Sequence, residues 1–165
     1  MNANETIFFY KEGEEYGFLS NWYPTVFYAE GLRFTSTEQY LMYQKAKLFG
    51  DTDMAEKIMA SSDQGEIKHY GRLVRGFDGV IWNGFRPIIM YKGLMHKFTQ
   101  SPLLREELLA TGDAVLAECT ERDVNFATGL NIHDAARFDR NNWKGQNILG
   151  FALMAVREEL RASNA

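Results

Sequence analysis

The apolar positions along this chain change spacing near residue 34. Residues 6–10 have the aromatic and β-branched composition of a strand, residues 11–15 are a polar turn, and residues 16–19 make a short second segment. Pro24 interrupts any regular run through Ser20-Asn-Trp-Tyr, and residues 25–29 and 32–34 are predicted to pair as a hairpin around Glu30-Gly31. Beyond that point helical spacing dominates. Helices are predicted over 34–49, 53–60, 61–74, 87–98, 102–110 and 148–160, with an extended core segment at 114–118. Most have a boundary signal. Thr35 and Glu38 fit a capping box, with Thr35 or Ser36 as the cap, and Asp51 or Thr52 precedes the second helix. Pro87 and Pro102 suit first helical turns, Thr111-Gly112 suits a helix end, and 76–85 is a glycine-rich connector. Ile88, Met95 and Phe98, with Ile89, Tyr91 and Leu94, are expected to face inward. In the last helix the expected core face is Ile148, Phe151, Ala152, Ala155, Val156 and Leu160. The expected fold is mainly α, one domain over residues 1–165, with a small N-terminal antiparallel β element.

Within that pattern the helix at 34–49 stands apart, because Tyr40, Leu41, Met42, Tyr43, Ala46, Leu48 and Phe49 cover more than one stripe. Such breadth implies neighbours on several sides. Glu38 and Lys45 nevertheless interrupt it, seven residues apart and so on nearly the same side, about 10 Å apart along the axis. That separation is too long for an ordinary helical ion pair and fits contacts to two parts of one ligand. Lys68, Arg72 and Arg75 recur at i, i+4 and i+7, either as a solvated face or as an anchor for a phosphorylated ligand. His96 has no partner at metal-ligand spacing and is expected to pack or face solvent. Residues 120–146 are irregular, and with Asn147 they carry Asp123, Phe126, Gly129, His133, Trp143 and Gly145, a composition typical of site loops.

Composition narrows the chemistry. A net charge of -4 is mild and argues against general nucleic-acid binding, although a local basic pocket can hold a phosphate. The single cysteine, Cys119, excludes an intramolecular disulfide and a cysteine-rich metal site. Without a signal-peptide pattern or a membrane-length apolar run, a cytoplasmic protein is expected. No P-loop, dinucleotide fingerprint, calcium loop, nucleophile elbow or triad is present, and neither metal nor cofactor is expected. A carboxylate-and-aromatic set remains: Glu38, Asp123, Trp22, Trp82, Trp143, Asn21, Asn147 and Lys45. If folding gathers them, they suit cleavage of a ribosyl bond. Aromatics can hold a base, carboxylates can activate water or stabilise a positive sugar centre, and amides can hold ribose hydroxyls.

Seven stretches in order resemble the NADAR, or YbiA-like, family. They are Phe18-Leu-Ser-Asn-Trp-Tyr-Pro24, the run from Phe34 to Asp51, Lys97-Phe-Thr-Gln100, Leu108-Leu-Ala-Thr-Gly112, Asp123-Val-Asn-Phe-Ala-Thr-Gly-Leu130, Asn142-Trp-Lys-Gly-Gln-Asn-Ile-Leu-Gly150 and Leu153-Met-Ala-Val-Arg157. The resemblance covers about residues 7–161 and implies a compact, mainly helical YbiA-like domain that hydrolyses an N-glycosidic bond. Within the family, the implied substrates are phosphorylated ribosylaminopyrimidines of riboflavin biosynthesis, with release of ribose 5-phosphate, or else ADP-ribosyl compounds, including ADP-ribosylated guanine in nucleic acid. A non-catalytic ADP-ribose-binding module is the rival. The family's functional positions fall on Ser20, Asn21, Glu38, Lys45, Asp123 and Asn147. Glu38, Asp123 and Lys45 are accordingly expected to be catalytic. Glu38 would serve as general base or as the stabilising carboxylate, Asp123 would take the complementary role, and Lys45 would meet phosphate or form an imine with the opened sugar. Ser20, Asn21, Trp22, Arg72, Arg75, Trp82, Phe126, Gly129, Trp143 and Asn147 are expected to bind substrate. Two departures bear on which substrate is accepted: Phe126-Ala127 where the family commonly has Trp-Gly, and Gln39 where many members have histidine.

Overall fold

The computed structural model describes residues 2–164. In chain order its elements are β1 (Asn2–Phe9), β2 (Phe27–Ala29), β3 (Leu32–Phe34), α1 (Thr37–Leu48), α2 (Thr52–Ala60), α3 (Gln64–Arg72), α4 (Gly79–Gln100), α5 (Pro102–Ala110), β4 (Ala114–Glu118) and α6 (Ile148–Ala162). Short 3₁₀ turns occur at Gly17–Leu19, Ala135–Phe138 and Arg140–Asn142. The chain forms two compact units, one of residues 24–100 and one of residues 1–23 with 101–165.

The 24–100 unit is organised on α1. β2 and β3 form the expected antiparallel hairpin, with Phe27 opposite Phe34, and Glu30 and Gly31 both take positive φ at its tip. Phe27, Ala29, Phe34 and Tyr40 make a buried cluster in which the Phe34 and Tyr40 rings meet edge to face at 5.2 Å. The broad apolar surface of α1 is met by α2, α3 and α4. Two glycines permit that closeness. A Cβ at Gly71 of α3 would overlap the Met42 side chain, and one at Gly93 of α4 would lie 2.7 Å from the Tyr40 ring. His96 packs as expected, stacked parallel to Phe27 with 6.2 Å between ring centres.

Pro87 does not begin a helix. α4 starts eight residues earlier, where the Asp78 carboxylate accepts the Val80 and Ile81 amides, and Pro87 lies inside it. The ring sits on the exposed side, while Trp82, Arg86, Met90, Gly93, Leu94, Lys97 and Phe98 are buried along the other. Burial of that long face outweighs the lost backbone bond. Ile88, expected inside, is about half exposed. α3 also stops earlier than its spacing predicts, so Arg75 lies beyond the helix.

In the other unit β1 pairs in parallel with β4, Ile7 beside Leu116 and Phe9 beside Glu118. β1 is therefore no part of the antiparallel element, and residues 17–19 form a 3₁₀ turn rather than a strand. α5 runs over the predicted residues and is capped by Ser101. α6 packs on β4, with Gly150 directly against the Leu116 carbonyl. That approach sets its rotation. Leu149, Ala152, Leu153, Val156 and Leu160 are buried, whereas Phe151 is 55% exposed and Ala155 is exposed, against expectation. No helix among the described residues is long and apolar enough to cross a membrane.

Candidate active site

Ser36 is the N-cap of α1, and its hydroxyl accepts the Gln39 amide at 3.0 Å. Gln39 returns the bond one residue further out, its Oε1 accepting the Thr35 amide at 2.8 Å. The capping box is thus Ser36 with Gln39, and the expected pair of Thr35 with Glu38 is corrected. Glu38 lies in the first turn, 7% exposed, where the helix N-terminus favours a negative charge. The Gln39 side-chain Nε2 also donates to the Ile58 and Ser61 carbonyls, joining the start of α1 to the end of α2.

Lys45 lies two turns along the same helix. Its ammonium sits over the Phe77 ring, 4.7 Å from the centroid, and 5.6 Å from that of Trp82. Burial holds its pKa below the usual lysine value; the Glu38 carboxylate opposes this and the Arg72 guanidinium reinforces it. Lys45 thus feels both Glu38 and Arg72, and its ammonium is flanked by a buried Trp82 and a half-exposed Phe77. Arg75 is engaged elsewhere. Its guanidinium donates to both oxygens of Asp51, at 2.7 and 3.1 Å, and to Asp53 at 2.8 Å. Asp51, the N-cap of α2, is held far below the usual carboxylate range by that pairing. The three-cation face read from the sequence thus loses Arg75 to a clamp between α2 and the connector before α4.

The second unit gathers another group of the expected residues. The Asp123 Oδ1 accepts the Asn125 and Phe126 amides at 2.7 and 2.9 Å, winding 123–130 into a tight loop. That loop is laced to the start of α6, with Gln146, Asn147, Ile148 and Leu149 amides donating to the carbonyls of Val124, Ala127, Asn125 and Phe126. Gly129 needs its positive φ of 75°, and a Cβ there would crowd Lys144. Asn147 is fully buried; its Oδ1 accepts the Glu118 amide at 3.1 Å and its Nδ2 donates to the Leu116 carbonyl at 2.9 Å. These contacts fasten α6 to β4. The Trp143 indole donates to the Arg137 carbonyl at 2.9 Å. Ser20 and Asn21 are buried just after the first 3₁₀ turn, and the Ser20 hydroxyl accepts the half-buried Trp22's amide.

Phe77 was absent from the residues singled out by sequence. It sits in a connector where an aromatic has no periodic pattern to mark it; only its place after Gly76 was a local cue.

Fold and site together define a mainly α protein in which α1 carries a buried carboxylate and a half-buried lysine beside aromatic rings. The chain belongs to the NADAR family, whose domain model matches residues 8–161. It is similar to N-glycosidase R617 of Acanthamoeba polyphaga mimivirus, 37% identical over 96% of this chain and 98% of that protein. It is 32% identical to the riboflavin biosynthesis protein VVA0006 of Vibrio vulnificus, over 95% of this chain and 39% of that longer protein. The NMR structure of the E. coli protein YbiA superposes with a TM-score of 0.81 at 30% identity, covering 99% of this chain and 89% of YbiA. The chain is accordingly an enzyme of the N-glycosidase class.

Proposed function

We propose that this enzyme hydrolyses the N-glycosidic bond of a phosphorylated ribosylaminopyrimidine, in the cytoplasm, releasing free base and ribose 5-phosphate. The observation that carries this reading is the Glu38–Lys45 pair on α1, the carboxylate buried and the half-buried ammonium set against the Phe77 and Trp82 rings. In the reaction the C1′–N bond breaks with both electrons leaving on the base nitrogen, and water supplies a hydroxyl to C1′ and a proton to the base. Glu38 takes the proton from the attacking water, or faces the oxocarbenium-like centre, in a setting where burial strengthens either interaction. Lys45 and Arg72 supply positive charge for the 5-phosphate. Alternatively, with its pKa lowered, Lys45 reaches the neutral amine form more readily, as an imine with the opened sugar requires.

The riboflavin-related name of the Vibrio relative supports the choice of substrate class. A mass-spectrometric screen of phosphorylated ribosylaminopyrimidines beside ADP-ribosylated guanine compounds tests it. Repeated release of ribose 5-phosphate from the pyrimidines is expected. Turnover confined to the ADP-ribosyl compounds would move the enzyme to that substrate class, and ligands returned unchanged would make it a binding module.

A further inference from the structure

Phe77 is 50% exposed although it stands against a lysine and a second aromatic ring. We infer that Phe77 is a specificity-determining wall of the Lys45 site, offering its open surface to the planar base of the substrate; this rests on the functional reading above. The ring's position is built rather than incidental. Arg75 is clamped on Asp51 through its backbone amide and guanidinium, and Gly76 turns the chain at a φ of 74° against the Phe49 carbonyl. Phe49 then meets the Phe77 ring at 5.5 Å and 64°, an edge contact that fixes its tilt. Lys45 occupies one face at 4.7 Å. A flat, weakly polar surface that stays open beside a cation matches a base, which stacks, and offers nothing to a ribose phosphate, which the cations hold instead. Trp82, 6% exposed, is the closed wall of the same lysine, so Phe77 is the one of the two with surface to offer.

Calorimetric titration of the full-length protein with diaminopyrimidine and, separately, with ribose 5-phosphate tests the inference. Phe77→Ala is expected to weaken diaminopyrimidine binding by about tenfold, while ribose 5-phosphate binding stays within about twofold and Phe77→Trp restores the loss. Equal weakening of both ligands, unchanged diaminopyrimidine binding in Phe77→Ala, or no diaminopyrimidine binding to the wild type would overturn it. Because both titrations measure binding, the outcome is independent of turnover. A wild type that binds the base through Phe77 but releases no ribose 5-phosphate would refute the hydrolytic reading and leave this one standing.

Discussion

At Gln39 a single side chain closes four contacts, two at the start of α1 and two on the end of α2. A histidine, which the family resemblance leads one to expect here, cannot reproduce that set, because an imidazole has only two ring nitrogens. The departure thus reads as local architecture. Gln39→Ala is expected to lower unfolding free energy by about 2 kcal/mol in denaturant titrations, while the folded fraction keeps its turnover within a few-fold. A collapse of turnover with stability intact would instead put Gln39 in contact with substrate. Lys45 has its own test. If an imine forms at Lys45, borohydride added during turnover is expected to trap a sugar adduct that Lys45→Arg abolishes; an adduct that persists in that variant places the imine elsewhere, and no adduct in the wild type means that none forms. The candidate pair on α1 was legible because two charges on a broad apolar helix are conspicuous. Its partners were less so. Arg75 looked like one of three phosphate ligands by spacing, yet the helix ends at Arg72 and the carboxylates of Asp51 and Asp53 claim it.

The elements follow their local signals where those signals act within one turn. Asp51, Ser101 and Asp63 each cap the helix they precede, and the β2–β3 hairpin closes on Glu30-Gly31 as predicted. Errors arise where burial overrides a local preference. Pro87 lies within α4 because the residues on both sides of it share a long buried face, and α6 is rotated from its expected phase because Gly150 and Asn147 lock its start to β4. At α1 the cap is Ser36, one residue beyond Thr35, and its capping-box partner is Gln39. Ser36→Ala should cost about 1 kcal/mol of stability, measured as a lower denaturation midpoint with unchanged slope. Gly93→Ala places a methyl against the Tyr40 ring, and a loss of about 1–3 kcal/mol is expected. Stability equal to wild type would show that α4 and α1 have room to separate.

For the molecule as a whole, the least legible feature was the parallel pairing of β1 with β4, since residues 7 and 116 carry no local sign of their partnership. The folded chain also carries a pH signature. Lys97 is fully buried, and burial pushes its pKa down from 10.5 to about 7. Between those values the unfolded state binds more protons than the folded one, so unfolding free energy should rise as pH increases from about 7 to about 10.5. Below about 7 the destabilisation is fully present. Lys97→Met should flatten that segment of the stability–pH curve, and an unchanged slope would assign it to other groups. The central claim remains that Glu38 is catalytic, and its most direct test is release of free base from a phosphorylated ribosylaminopyrimidine by Glu38→Gln. This near-isosteric change is expected to keep the fold while turnover falls by about 10²–10⁴-fold; turnover equal to wild type would contradict the account.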